Sequence, residues 1–318
     1  MPERPRFSVI IPHRDDLPGL ELSLTSLAAL DPRTPAFEVI VADNGSNVGM
    51  DAVHAVTADF AQLDLYVVEA FRAGAAHARN AGVRAARGSI LAFLDCDCIP
   101  DKDWLIRADA LLQSEADFVG GPLQICLRPG AREAVTAAEM FDFLYACDVE
   151  VQYRRRGLLL TANLIARRQA FDRAGEFRDL VSEDRDWCDR ARAASLLGKF
   201  DGDLVVRHVA TVHALAQRKR WRRRTRETWH YGREHGVSRW RWLAYCCAVS
   251  LSPLVHGFRV VHSPALRGRP FRLRLATLAL LWIIRLERAM VGICLPVAEL
   301  RAGGRDKGKL PTVKRDRR

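Results

Sequence analysis

Two aspartates one residue apart, Asp95 and Asp97, stand directly after the apolar run 90–94. Carboxylates in that pattern suit a hard divalent cation, Mg²⁺ or Mn²⁺, and such a cation grips phosphate oxygens. The run before them reads as a strand buried on both faces of a sheet, and Pro100 is set against its continuation. Ligands of open α/β sheets bind beyond the carboxyl ends of the strands, where this pair falls. The alternative is that the acids cap an expected helix over 103–113 or solvate a turn. A second acidic cluster, Glu183, Asp184 and Asp186, follows Ser182. Ser182 is a fair N-cap, and a helix dipole favours acids in its first turn, so this cluster also has a purely structural reading.

The elements that must position these groups alternate. Strands are expected over 7–11, 38–42, 64–69 and 90–94, the first stopped by Pro12. Helices are expected over 17–30, 50–63 and 74–86. Strand–helix alternation predicts an α/β fold with a mostly parallel sheet and right-handed crossovers. Three strands end in polar clusters: Pro12-His13-Arg14, Asp43-Asn44 and Asp95-Cys96-Asp97. That shared polarity argues that they line one crevice.

Four stretches together resemble the family 2 glycosyltransferases of the GT-A fold: Phe-Ser-Val-Ile-Ile-Pro at 7–12, Val-Ile-Val-Ala-Asp-Asn-Gly-Ser at 39–46, Gly-Ala-Ala-His-Ala-Arg-Asn-Ala-Gly at 74–82, and Phe-Leu-Asp-Cys-Asp at 93–97. The likeness runs over roughly residues 6–215 and implies a GT-A catalytic domain over 1–215. It also implies inverting transfer of a sugar from a nucleotide-diphosphate sugar, a UDP-sugar first, helped by Mg²⁺ or Mn²⁺. By the same resemblance Asp43 would meet the nucleotide base, with Asn44 where the family often has a second acid. An Asx turn at Asp43 is the structural alternative. Arg79 and Asn80, after Gly74, match the donor-binding Arg-Asn, and an arginine beside a diphosphate gives fork-shaped bonding. Pro12 and Arg14 complete the donor side. Asp95 would face ribose and metal, and Asp97 would be the more direct metal ligand. The resemblance places the general base in the second cluster at Asp184, with Glu183 supporting it and Asp186 in reserve. Thr161 and Asn163 could touch the sugar or be satisfied strand-end residues. Of the two histidines flanking 209–212, His213 is favoured over His208 as a further metal ligand.

Composition sets the outer limits. The 318 residues can bury one large core or two modest ones. A formal charge of +11 and a pI near 9.6 call for an anionic partner: nucleotide, acidic phospholipid or nucleic acid. The eight cysteines form no paired Cys-x-x-Cys and read as thiols in a reducing, cytosolic setting. No secretory signal is expected, since the N-terminal apolar run is short.

After residue 215 the chain changes character. The run 218–226 is nearly all cationic, and 240–261 is strongly apolar. A second apolar segment, 275–295, is interrupted by Arg285, Glu287 and Arg288. These features predict a basic and apolar helical extension over 216–302, lying in the interface of an anionic membrane on its cytoplasmic face. A helical subdomain packed on the catalytic core, or a dimer interface, is the alternative. A disordered basic tail is expected over 303–318. Gln217 to Trp221 fits the Gln-x-x-Arg-Trp pattern of processive family members, but a basic run makes that match easy to meet by chance. The expected acceptor is a glycan or a lipid-linked one, and no specific nucleic acid is expected. Two rivals stand beside this reading. A nucleotidyltransferase would want a Gly-rich phosphate loop and a lysine near the first strand, which the sequence lacks. A non-catalytic lipid- or nucleic-acid-binding protein would use the basic tail alone, leaving the strand-end acids without a purpose.

Overall fold

Period-two burial explains the N-terminal sheet. In the computed structural model, β1 (Phe7–His13) sends Phe7, Val9 and Ile11 to one face of the sheet, against α1 (Leu17–Ala28). Ile10 goes to the opposite face. The next elements are β2 (Phe37–Asp43), α2 (Met50–Ala58), β3 (Leu65–Glu69), α3 (Ala75–Ala85) and β4 (Ile90–Phe93). The four strands pair in parallel. Helix α3 packs on the Ile10 face, where Ala76 and Val83 join the core. Gly82 makes this possible: a Cβ there would stand 2.5 Å from the Ile10 Cγ2.

β1 runs through Pro12, which was expected to stop it. The Ile10 carbonyl accepts from the Leu94 amide at 3.1 Å, so the even residues of β1 turn toward β4. Pro12 shares that side, but β4 has already ended at Phe93. The missing N–H therefore faces no partner strand.

Beyond β4 come β5 (Cys98–Pro100), α4 (Trp104–Gln113), β6 (Phe118–Gly120), β7 (Leu123–Cys126), α5 (Ala137–Tyr145) and α6 (Val149–Arg156). A 3-10 turn (Thr161–Asn163) leads into β8 (Leu164–Arg167), α7 (Arg168–Ala174), α8 (Glu183–Ala193), β9 (Gly198–Phe200) and β10 (Val206–Val209). The main sheet has the order β3-β2-β1-β4-β8-β6-β9, with β8 antiparallel to both neighbours. A smaller sheet, β5-β10-β7, stands beyond the end of β4. The result is an α/β sandwich with a mostly parallel centre, as expected. The structure describes residues 4–114, 116–130, 134–146 and 148–302, with residues 300–302 described by backbone alone. The expected tail over 303–318 lies outside them.

The chain divides after His213 into two units. The second is helical: α9 (Ala214–Glu234), α10 (Arg239–Leu251), α11 (Pro253–His262) and α12 (Phe271–Ala302). The charges expected to interrupt the last apolar segment do not break it. Helix α12 is continuous, and Glu287 turns inward to accept from Arg222 of α9 at 2.9 Å and from Arg218. Trp242 of α10 is core: it packs on Trp229 at 5.0 Å between ring centres and donates to the Gly292 carbonyl at 2.8 Å.

One buried acid ties the edge of the main sheet together. Glu38 on β2 is fully buried and accepts from Ser8 Oγ at 2.5 Å, Tyr66 Oη at 3.0 Å, and the Arg87 backbone and Nε at 2.6 Å each. Burial alone would raise its pKa, but the donors on Ser8, Arg87 and Tyr66 outweigh burial and hold it below the ordinary 4.5. A lowered native pKa gives stability that is present above the unfolded value and lost as pH falls through the native one. We expect Glu38→Gln to lower unfolding stability by about 2 kcal/mol near neutrality. In urea titrations the gap from wild type should shrink as pH falls below about 4.3.

Candidate active site

The turn after β4 is built from three sides. The Cys98 amide closes it on the Asp95 carbonyl at 3.1 Å. Ser23 of α1, fully buried, donates to the carbonyls of Cys96 at 2.7 Å and Cys98 at 3.0 Å. From β10, the Val209 amide donates to the Asp97 carbonyl at 3.0 Å. Asp95 and Asp97 do not cap α4, whose N-cap is Asp103. The β5–β10 pairing brings His208 opposite Cys98, with its Nε2 3.4 Å from Asp97 Oδ2. Asp97, Cys98 and His208 each offer one donor atom, all within 4.8 Å of one another. Burial, then the charges of Asp97 and Asp95, push the Cys98 thiol well above its usual range, so the ready donors are the carboxylate and the imidazole. A separation of 3.4 Å is long for a hydrogen bond and suits two ligands of one cation. His208 Nδ1 is also buried without a hydrogen-bond partner among the described residues. His213, the histidine favoured from sequence, is exposed beyond β10. The position beside Asp97 belongs to His208, because only the β10 register decides between the two.

Arg79 joins this turn to the second acidic cluster. It sits on α3 with 3% of its surface exposed. Its Nη2 donates to Asp95 Oδ1 at 2.5 Å, and its Nη1 donates to Glu183 at the start of α8. Burial would lower its pKa, but the charges of Glu183, Asp95 and Asp184 outweigh burial and keep the guanidinium charged. Glu183 is raised above its usual range by burial, despite the pull of Arg79.

The acids of α8 divide their work. Ser182 is its N-cap by position but makes no side-chain cap bond. Asp184 Oδ1 accepts from the Thr161 amide at 2.8 Å, leaving it half-buried at the mouth between α8 and the 3-10 turn. Asp186, the reserve candidate, is buried and paired with Arg178 at 2.6 Å and Arg190 at 2.9 Å. It is a structural ion pair, not a group open to substrate.

Several residues expected to touch the donor are occupied with the fold. Asp43 makes the Asx turn: its Oδ2 accepts from the Gly45 and Ser46 amides, and its Oδ1 from Ser46 Oγ and His13 Nδ1. The Asp16 amide donates to His13 Nε2, which puts the ring proton on Nδ1, facing Asp43. Four donors fill the carboxylate. Asn44 accepts from the Gly74 amide and donates to the Arg72 carbonyl, so it sets the loop before α3. Gly74, at φ 133°, opens that helix. Asn80 exchanges two hydrogen bonds with the Phe177 backbone, which fixes the segment leading to α8. Asn163 accepts from Trp104 Nε1 at 2.9 Å and donates to the Leu204 carbonyl at 2.7 Å, the satisfied alternative. Thr161 is buried and meets Asp184 through its backbone. Pro12 is half-buried and Arg14 exposed at the end of β1. Sequence reasoning missed Ser23 altogether; its only signal was a serine among the helically spaced leucines of α1.

Arg79 thus holds two carboxylates from opposite sides of one cleft. Arg79→Met should lower stability by about 3–5 kcal/mol near neutrality, since it strands Asp95 and Glu183 without their cation. Those acids would then have raised native pKa values, which favour folding at low pH. The deficit measured by denaturant titration should therefore narrow as pH falls through the carboxylate range.

Comparison with known proteins bears on the fold and on the class of activity. Residues 8–146 match Glycosyl transferase family 2. Glycosyltransferase AglE of Haloferax volcanii is 29% identical over 222 residues, 69% of this chain and 71% of that one. Mannosyltransferase PcManGT from Pyrobaculum calidifontis, solved in complex with GDP-Man and Mn²⁺, has a TM-score of 0.54 at 18% identity, covering 95% of this chain and 80% of that one. S. aureus TarS 1–349 in complex with UDP-GlcNAc scores 0.51 at 17% identity, covering 94% and 92%. At such identities the structural likeness carries the fold, and the family match carries the class of activity. On both counts residues 8–146 form a glycosyltransferase family 2 domain, and the fold is that of the GT-A glycosyltransferases.

Proposed function

We propose that this enzyme transfers a sugar, with inversion, from a nucleotide-diphosphate sugar to a glycan or lipid-linked acceptor, with Asp184 as general base. With the family assigned, the nucleotidyltransferase and non-catalytic readings fall away. The observation that carries the proposal is Asp184 beside Glu183, which Arg79 ties to Asp95 across the cleft. Support for a nucleotide-sugar donor comes from the ligands of PcManGT and TarS, GDP-Man and UDP-GlcNAc. A UDP-sugar is the first donor to test. Support for a divalent cation comes from the Asp97–His208 pair and the Mn²⁺ of PcManGT.

The chain's own groups then have distinct tasks. Asp184 Oδ1 is held by the Thr161 amide, which leaves Oδ2 to take the proton of the acceptor hydroxyl. The acceptor oxygen, freed of its proton, bonds the anomeric carbon as the bond from that carbon to the phosphate oxygen breaks, and the electron pair leaves on the nucleotide diphosphate. Asp97 and His208, with Asp95 beside them, would hold Mg²⁺ or Mn²⁺, which would neutralise the diphosphate and so stabilise the leaving group. Both terminal nitrogens of Arg79 are engaged by acids, so it positions them and Glu183 orients it in return.

Asp184→Asn should lower kcat by about 10²–10⁴-fold while leaving donor binding within a few-fold. Turnover that survives this change would remove Asp184 as the base. Thermal shift with UDP or GDP plus Mn²⁺ tests the donor side. Stabilisation should require the metal, be lost in His208→Ala and persist in His213→Ala; the reverse pattern would restore His213.

A further inference from the structure

We infer that the apolar face formed by α10, α11 and α12 docks in the plane of an anionic phospholipid membrane. The polarity of this unit is inverted. Its ionic contacts point inward: Glu287 meets Arg218 and Arg222, and Arg288, only 8% exposed, donates to Thr225 Oγ1 and to Tyr245 Oη while lying 4.6 Å over the Trp221 ring. Outward, every exposed residue of α12 from Leu275 to Ala298 is uncharged, including Ile283, Leu286, Met290 and Ile293. At 1.5 Å per residue this stripe runs for about 35 Å. The same holds on α10 and α11 from Ala244 to Phe258, where Leu254, Val255 and Phe258 are 69%, 73% and 63% exposed. The most apolar 18-residue window within Arg239–His262 has a mean hydropathy of 1.3. A continuous apolar surface of this size is not left to water.

Charge names the occupant. Exposed arginines bound the surface at both ends: Arg241 at the start of α10, then Arg259, Arg267, Arg269 and Arg272 around the α11–α12 connection. Trp240 and Phe271, 82% and 70% exposed, stand beside them, where ring side chains meet the headgroup layer. Lipid phosphates satisfy such rims. A second copy docked face to face would instead bring the same basic rims together. The position is in-plane rather than spanning, because α9, packed along α12, has a basic exposed face at Lys219, Arg223 and Arg226. That face belongs on the water side of the interface.

Flotation of the full chain with phosphatidylcholine vesicles, with or without phosphatidylglycerol, tests this. Wild type should float with the anionic vesicles. Phe258→Glu with Met290→Glu, two exposed positions, should abolish flotation without lowering Tm. Arg241→Gln with Arg269→Gln and Arg272→Gln should weaken binding to anionic vesicles about a hundredfold and leave any binding to phosphatidylcholine unchanged. Metal-dependent stabilisation by UDP or GDP should be intact in both variants, so the docking result stands apart from the proposed chemistry. The inference is overturned if wild type stays in the aqueous fraction, if the double glutamate variant floats as well as wild type, or if light scattering shows a dimer that this variant dissolves.

Discussion

The active site depends on one buried cation. Arg79 lies almost wholly out of water with a carboxylate on each arm, Asp95 from the end of β4 and Glu183 from the first turn of α8. A lone guanidinium there would be very costly, and so would two acids facing each other across a dry gap. Together they are tolerable only at one spacing, set by hydrogen-bond length. The distance across the cleft therefore follows from charge balance within the protein. The neighbouring polar residues reinforce it. Asn80, the next residue on α3, grips the Phe177 backbone, and Asn44 fixes the loop that starts the same helix.

This division of labour changes how the family motifs are understood here. Asp43, Asn44, Asn80 and Asn163 each spend their hydrogen bonds on backbone or side chains of the same chain. They shape the loops at the strand ends. The groups at the open side of the cleft are fewer: Asp95, Asp97, His208 and Asp184. A conformation-setting residue and a ligand-binding residue can share one motif, since both must stand at the carboxyl edge of the sheet.

That distinction marks the limit of what the sequence reveals. β1 to β4 were legible because each is an apolar run closed by turn residues. β5, β6, β9 and β10 are three or four residues long, too short for a periodic signal. His208 became distinguishable from His213 only through the antiparallel pairing of β10 with β5. The partners of Asn80 and Asn163 lie far along the chain, 97 and 41–59 residues away, and no local pattern encodes them. In α12 a signal was present but misread. Counting Arg285, Glu287 and Arg288 as interruptions ignored their angular position: Arg285 and Arg288 are three apart and share a side, while Leu286, Met290, Ile293 and Val297 follow the outward stripe.

Gly82 gives the cleft an unexpected dependence on empty space. It faces Ile10 on the side of α3 that meets the sheet, three residues along the helix from Arg79. One methyl group at this point would lift the helix away from β1 and carry the guanidinium with it. The reach between the two acids is thus gauged from behind, by how closely a bare backbone can lie against an isoleucine.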